Sequence, residues 1–124
     1  MSAERWRGES PVFTKTYDLL LWLSGRVSQF PKEHRFRLAR RIEDAAFGFH
    51  ERLLLAARAS SSKTEMRLLL EADLELDKLR FYVRMAAEPE LKLLTLRQYE
   101  HASRLIVEVG KLLGGWIKKV KEGE

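Results

Sequence analysis

Few side chains in this chain could do chemistry, and their spacing excludes most of it. The histidines His34, His50 and His101 are the first candidates for metal ligation or proton transfer. The positions three residues before them hold Pro31, Phe47 and Gln98, so the Glu-x-x-His pairs that hold metals in di-iron bundles are absent. The histidines are not spaced as a zinc site either. With no cysteine in the chain, thiolate and disulfide chemistry are excluded. There is no P-loop, Gly-rich phosphate cradle or nucleophile elbow. Asp18, Asp73 and Asp77 could be buried carboxylates, but surface or interface ion pairs are the simpler role for them. The reading is of a chain that is not an enzyme and needs no cofactor or metal.

The residue types that remain suit binding rather than catalysis. The stretch PKEHRFRLARR places Lys32, Arg35, Arg37, Arg40 and Arg41 against one carboxylate, Glu33. It falls where a helix should begin, and cations there oppose the helix dipole at a few tenths of a kcal/mol each. A local rule broken repeatedly points to function. Further along, Arg80 and Arg84 lie four apart, Lys92 follows in a loop, and Arg97 opens the next helix. If neighbouring helices run antiparallel, all of these meet at one end, with Arg26 beside them. Such a cluster suits phosphate neutralisation. The plainer alternative is a solvated face with local ion pairs, such as Glu71 and Glu75 with Lys78. Lys118, Lys119 and Lys121 form a smaller cluster at the opposite end, where they also compensate a helix C-terminus.

Four helices must position these groups. Alternating steps of three and four, the signature of helices packed in a bundle, pick out four lines of core residues. They are Phe13-Thr16-Leu20-Leu23-Val27, Ala39-Ile42-Ala46-Phe49-Leu53-Ala56, Leu69-Ala72-Leu76-Leu79-Val83-Ala86 and Tyr99-Ala102-Ile106-Val109-Leu113-Trp116-Val120. Thr16 is the one polar member, and it is expected at the edge of the core. Phe30-Pro31 ends the first helix, and Pro31 suits the first turn of the second. One of Ser60, Ser61 and Ser62 caps the third helix. Glu88-Pro89 ends it, and Thr95 with Gln98 predicts a capping box for the fourth. The short connections predict an all-α, up-down-up-down antiparallel four-helix bundle over residues 12–124, preceded by a tail over residues 1–11.

The apolar residues exceed what one bundle core requires. Leu21 and Trp22 on helix 1, Phe47 and Leu54 on helix 2, and Leu70, Leu74 and Phe81 on helix 3 lie off the core lines. They predict a subunit interface in a homo-oligomer, against the alternative of wide apolar faces in a small bundle. Gly110 and Gly114 share a flank of helix 4 and would let another backbone approach. In the alternative reading, Gly114-Gly115 stops the helix. Because the core line runs on through Trp116 and Val120, a continuing helix is expected.

Lys and Arg outnumber Asp and Glu by 23 to 18, giving a pI near 9.7, as a polyanion-binding or simply soluble basic surface would require. The opening MSAERWRGES lacks a signal-peptide pattern, and the uncharged run Leu19 to Gly25 is too short to cross a bilayer. A cytoplasmic protein without membrane contact is expected.

The segments KTYDLLLWL (15–23), FPKEHRFRLARRIE (30–43), LDKLRFYVRMA (76–86), LRQYEHAS (96–103) and GKLLGGWIK (110–118) resemble the accessory variability determinant family of diversity-generating retroelements. That family is related to the four-helix proteins of ribosomal RNA intervening sequences. The resemblance implies a homopentameric barrel that binds the retroelement's reverse transcriptase and its RNA and DNA, with catalysis left to the enzyme. It maps the basic binding positions onto Arg80 and Arg84, with Lys32 and Arg35 nearby. Two rivals are a general RNA-binding bundle without that partner and a purely structural oligomer.

Overall fold

The computed structural model describes residues 10–123. The tail expected over residues 1–11 therefore falls largely outside the described residues. Its last part is helical: α1 runs Pro11–Val27, with proline in the first turn, where its missing N–H costs nothing. A single turn, Lys32–His34, and a π-helical turn, Arg35–Ala39, lead into α2, Arg40–Ala57. Helix α3 spans Ser62–Ala86 and α4 spans Leu96–Glu122. The described residues contain no strand.

The helix ends follow their local chemistry. The Thr64 N–H donates to Ser61 Oγ at 3.2 Å and caps α3. At α4 the capping box is complete: the Gln98 N–H donates to Thr95 Oγ1 at 3.1 Å and the Thr95 N–H donates to Gln98 Oε1 at 3.0 Å. Helix α1 stops at Val27, ahead of Phe30, which is buried. Pro31 immediately precedes the first turn rather than lying within it. Between α3 and α4 the chain reverses through Lys92, whose φ of 52° is left-handed. The Leu93 and Leu94 N–H groups both donate to the Ala86 carbonyl, tying this loop to the end of α3.

Contacts between opposite ends of neighbouring helices establish the antiparallel order. Trp116, late in α4, donates its Nε1–H to Glu65 Oε2, early in α3, at 2.8 Å. The same indole lies 6.3 Å from the Phe13 ring at the start of α1. Trp22, late in α1, stacks at a tilt on His101, early in α4, with ring centroids 4.9 Å apart. Sequential helices are neighbours, and α1 closes the ring against α4.

Every core position expected on α2 and α3 is buried. On α4, Ala102, Ile106, Val109 and Leu113 are buried, while Tyr99, Trp116 and Val120 flank them half-buried. On α1, Leu19 is fully buried and Leu20 only partly so. Thr16 is not at the core's edge: it is fully buried. Its hydroxyl donates to the Val12 carbonyl one turn back at 2.6 Å, which satisfies the donor where no water reaches. The glycines of α4 do not stop it. The helix runs eight residues past Gly114, to Glu122.

Candidate nucleic-acid interface

The basic stretch before α2 leaves regular α-helical geometry where Arg35 falls. An uninterrupted α-helix would set Arg35, four residues before Ala39, on the core line. The π-helical turn over Arg35–Ala39 adds a residue to that turn and changes the phase of everything before it. Leu38 and Ala39 remain buried, while Arg35, Phe36 and Arg37 turn outward. The Arg35 Nε–H reaches back to the Phe30 carbonyl at 3.4 Å. Phe36 is left 76% exposed between two arginines.

Two adjoining grooves form where this turn meets the end of α3, and Phe36, Arg37, Arg41 and Tyr82 line both. The first, about 320 Å³, adds Arg40 and Lys78, with Asp44 as its only lining carboxylate. The second, about 490 Å³, adds His34, Met85 and Leu91. Arg37, Arg40 and Arg41 form no ion pair among the described residues. Their charge is therefore not spent on carboxylates among the described residues.

The cations expected at this end divide between two flanks of α3. Lys78, Tyr82 and Met85 follow one another at i, i+4 and i+7 on the side facing α2. Arg80 points the other way, into a groove shared with Val83 and with Tyr99, Ser103 and Ile106 of α4. It is bonded to Asp77 at 2.6 Å, and Arg84, one turn on, follows the same flank without an ion pair among the described residues. Lys32, Lys92 and Arg97 are exposed at the same end and Arg26 is half-buried. Sequence reasoning thus located the end of the bundle but missed the groove's aromatic residues, Phe36 and Tyr82. The signal was available in Arg35-Phe36-Arg37 and in the four-residue step from Lys78 to Tyr82.

The apolar residues off the core lines are also placed. Leu70, Leu74 and Phe81 form an exposed ridge on α3, and Leu21 and Phe47 are exposed on α1 and α2. Leu21 and Phe47 line a groove of about 720 Å³ with Tyr17, Leu20 and His50. Leu54 and Trp22 are half-buried, and Trp22 is already covered by His101 of its own chain. The two glycines differ. A methyl group on Gly110 would meet the Arg80 guanidinium at 2.8 Å, so that notch is filled by α3. Gly114 and Gly115 face open space.

Among the described residues no His, Asp and Glu side chains gather as a metal site, and no helix is long and apolar enough to cross a membrane. The model of the bAvd-like family matches residues 12–120, nearly all of the bundle and both basic flanks. The chain belongs to the bAvd-like family, the accessory variability determinants. No curated protein matches it.

Proposed function

We propose that this chain is the non-catalytic accessory subunit of a diversity-generating retroelement, acting in the cytoplasm beside the element's reverse transcriptase. It engages the enzyme together with template RNA and the copied DNA. The observation that carries this reading is the cluster of unpaired arginines at the α2–α3 end in a chain of this family. Each phosphate neutralised releases counterions, so affinity is driven by charge and independent of sequence. Arg80 and Arg84 on the α4 flank and Lys32, Arg35, Lys92 and Arg97 around the end extend the same field. Catalysis stays with the reverse transcriptase.

The subunit works as a ring, for which we adopt the pentamer implied by the family. A ridge (Leu70, Leu74, Phe81) and a groove (Tyr17, Leu21, Phe47) on different helices suit a heterologous contact, the kind that closes rings. Repetition of the basic end around the ring converts weak phosphate contacts into avidity.

Co-expression with the neighbouring reverse transcriptase tests the reading. The expected result is co-purification, a pentameric mass, and RNA affinity that falls steeply with salt. An enzyme that elutes alone while RNA is still bound would leave only a general RNA-binding bundle. A stable monomer at micromolar concentration would remove the ring.

A further inference from the structure

We propose that the α2–α3 groove binds single-stranded nucleic acid by stacking a base on Phe36, with Arg37 and Arg41 on the flanking phosphates. The inference rests on the nucleic-acid reading above and narrows it to one strand form and one contact. Phe36 is the most exposed large apolar side chain among the described residues, at 76%. It is not part of the oily ridge on α3 or of the α1–α2 groove, so subunit packing of those faces does not account for it. It stands where the π-helical turn has swung the backbone outward, and arginines surround it. A purely apolar partner would have to strip water from Arg37, Arg40 and Arg41 without offering them counter-charge, at high cost. A polyanion carrying flat, stackable rings meets both demands at once.

The choice of strand form follows from geometry. In a duplex the base faces are covered by their neighbours, and a surface groove reaches only phosphates and edges. In a single strand the faces are free, and an exposed ring beside cations is the recurring platform for them. Tyr82 forms the far wall of both grooves and is held edge-on to Phe81, with centroids 6.1 Å apart. Asp44 and Lys78 also line the groove beside Arg40; Lys78 is ion-paired with Glu75, so Asp44 alone faces Arg37, Arg40 and Arg41 and the groove stays positive.

The test uses fluorescence anisotropy of the full-length protein with a labelled 12-nucleotide oligouridylate and a labelled 12-base-pair duplex, each over a salt series. Phe36→Leu keeps an apolar side chain of similar bulk but removes the ring, and at so exposed a site folding is unaffected. The ratio of single-strand to duplex affinity should fall about tenfold, and Phe36→Trp should restore it. Arg37→Ala with Arg41→Ala should weaken both probes and flatten the salt dependence. An unchanged ratio in Phe36→Leu overturns the stacking contact while leaving the basic-end reading intact. Failure of the unaltered protein to bind either probe at low salt overturns that broader reading as well. A Phe36→Leu variant that binds oligouridylate normally but no longer retains the reverse transcriptase makes the groove a protein seat, and the inference is wrong.

Discussion

Gly114 offers a test in which local physics and assembly pull in opposite directions. It lies inside a continuous helix, with nothing within 4 Å of where a Cβ would stand. Alanine there should stabilise the isolated protomer by about 1 kcal/mol, because glycine loses more backbone freedom on folding. Spread over 124 residues, an unfolding entropy of about 2.1 cal/mol/K per residue makes this a rise of about 4 °C in Tm. A position that gives up so much stability needs a reason, and close approach of a neighbouring subunit is the one proposed. Gly114→Ala should then raise the stability of the dissociated protomer while shifting the assembly toward smaller species. The first is read by urea unfolding at high dilution and the second by light scattering on a sizing column. Gly115→Ala, one residue round the helix and equally open, should give the stability gain alone. A destabilised protomer would refute the placement of Gly114 in open space. A stabilised protomer with intact assembly would refute the close approach.

Three further perturbations probe the bundle itself. Trp116→Phe removes the indole N–H that Glu65 accepts at 2.8 Å in a part-buried site. It should cost about 2 kcal/mol in urea unfolding, and a double-mutant cycle with Glu65→Ala, which removes the acceptor, should assign most of the loss to this pair. Gly48 is buried where the Glu75 carboxylate of α3 presses against α2. Gly48→Leu should overpack that contact and lower stability by about 1–3 kcal/mol, whereas Gly115→Leu should be tolerated by the protomer. The hydrogen bond and charge of Glu108, 2.9 Å away, raise the pKa of the Lys15 ammonium above its usual 10.5. A raised amine pKa contributes stability that is fully present below pH 10.5 and is lost as pH climbs through the folded value. Lys15→Met should therefore flatten the alkaline limb of a stability–pH curve and leave neutral pH little changed, since both side chains are well exposed.

The core was legible because it is governed by period. Ile42, Phe49, Leu53, Leu69, Leu76, Leu79 and Val109 fall on steps of three and four, and each is buried to 2% exposure or less. The cap of α3 and the capping box of α4 were legible for a related reason: a hydroxyl just before a helix start, joined at α4 by an amide three residues on, has few other uses. Thr16 shows where period falls short. Its position on the core line was clear, but its depth was not, because the Val12 carbonyl that satisfies it belongs to the backbone and leaves no trace in residue type. The contrast between Gly110 and Gly114 was hidden similarly. Both lie on one flank, but the space beside Gly110 is taken by a long side chain from α3, and spacing along α4 carries no information about that neighbour.

The candidate site was legible as an end of the bundle and not as a surface. Counting charges along antiparallel helices brings Arg37, Arg40, Arg41, Arg80 and Arg84 to one level, yet it does not say which way around each helix they point. On α3 the residues facing α2 are Lys78 and Tyr82, half a turn away from Arg80 and Arg84. The decisive local feature was the π-helical turn over Arg35–Ala39. A wider turn has no residue signature of its own; here it reconciles a buried Leu38 and Ala39 with an exposed Arg35, which an unbroken α-helix would set on one face. The conflict was present in the sequence as an arginine on a core line. Its resolution costs one well-formed helical turn, and what is gained is an outward Phe36 flanked by Arg35 and Arg37, next to Arg40 and Arg41 at the start of α2. If the turn exists to relieve Arg35 alone, Arg35→Leu should let the helix close to regular geometry, bury the new leucine and carry Phe36 toward the flank. Backbone chemical shifts across residues 32–40 would register that change, together with loss of oligouridylate binding. Unaltered shifts would mean that the π-helical turn is held by the packing of Leu38 and Phe30 instead, and that Arg35 merely occupies the space it leaves.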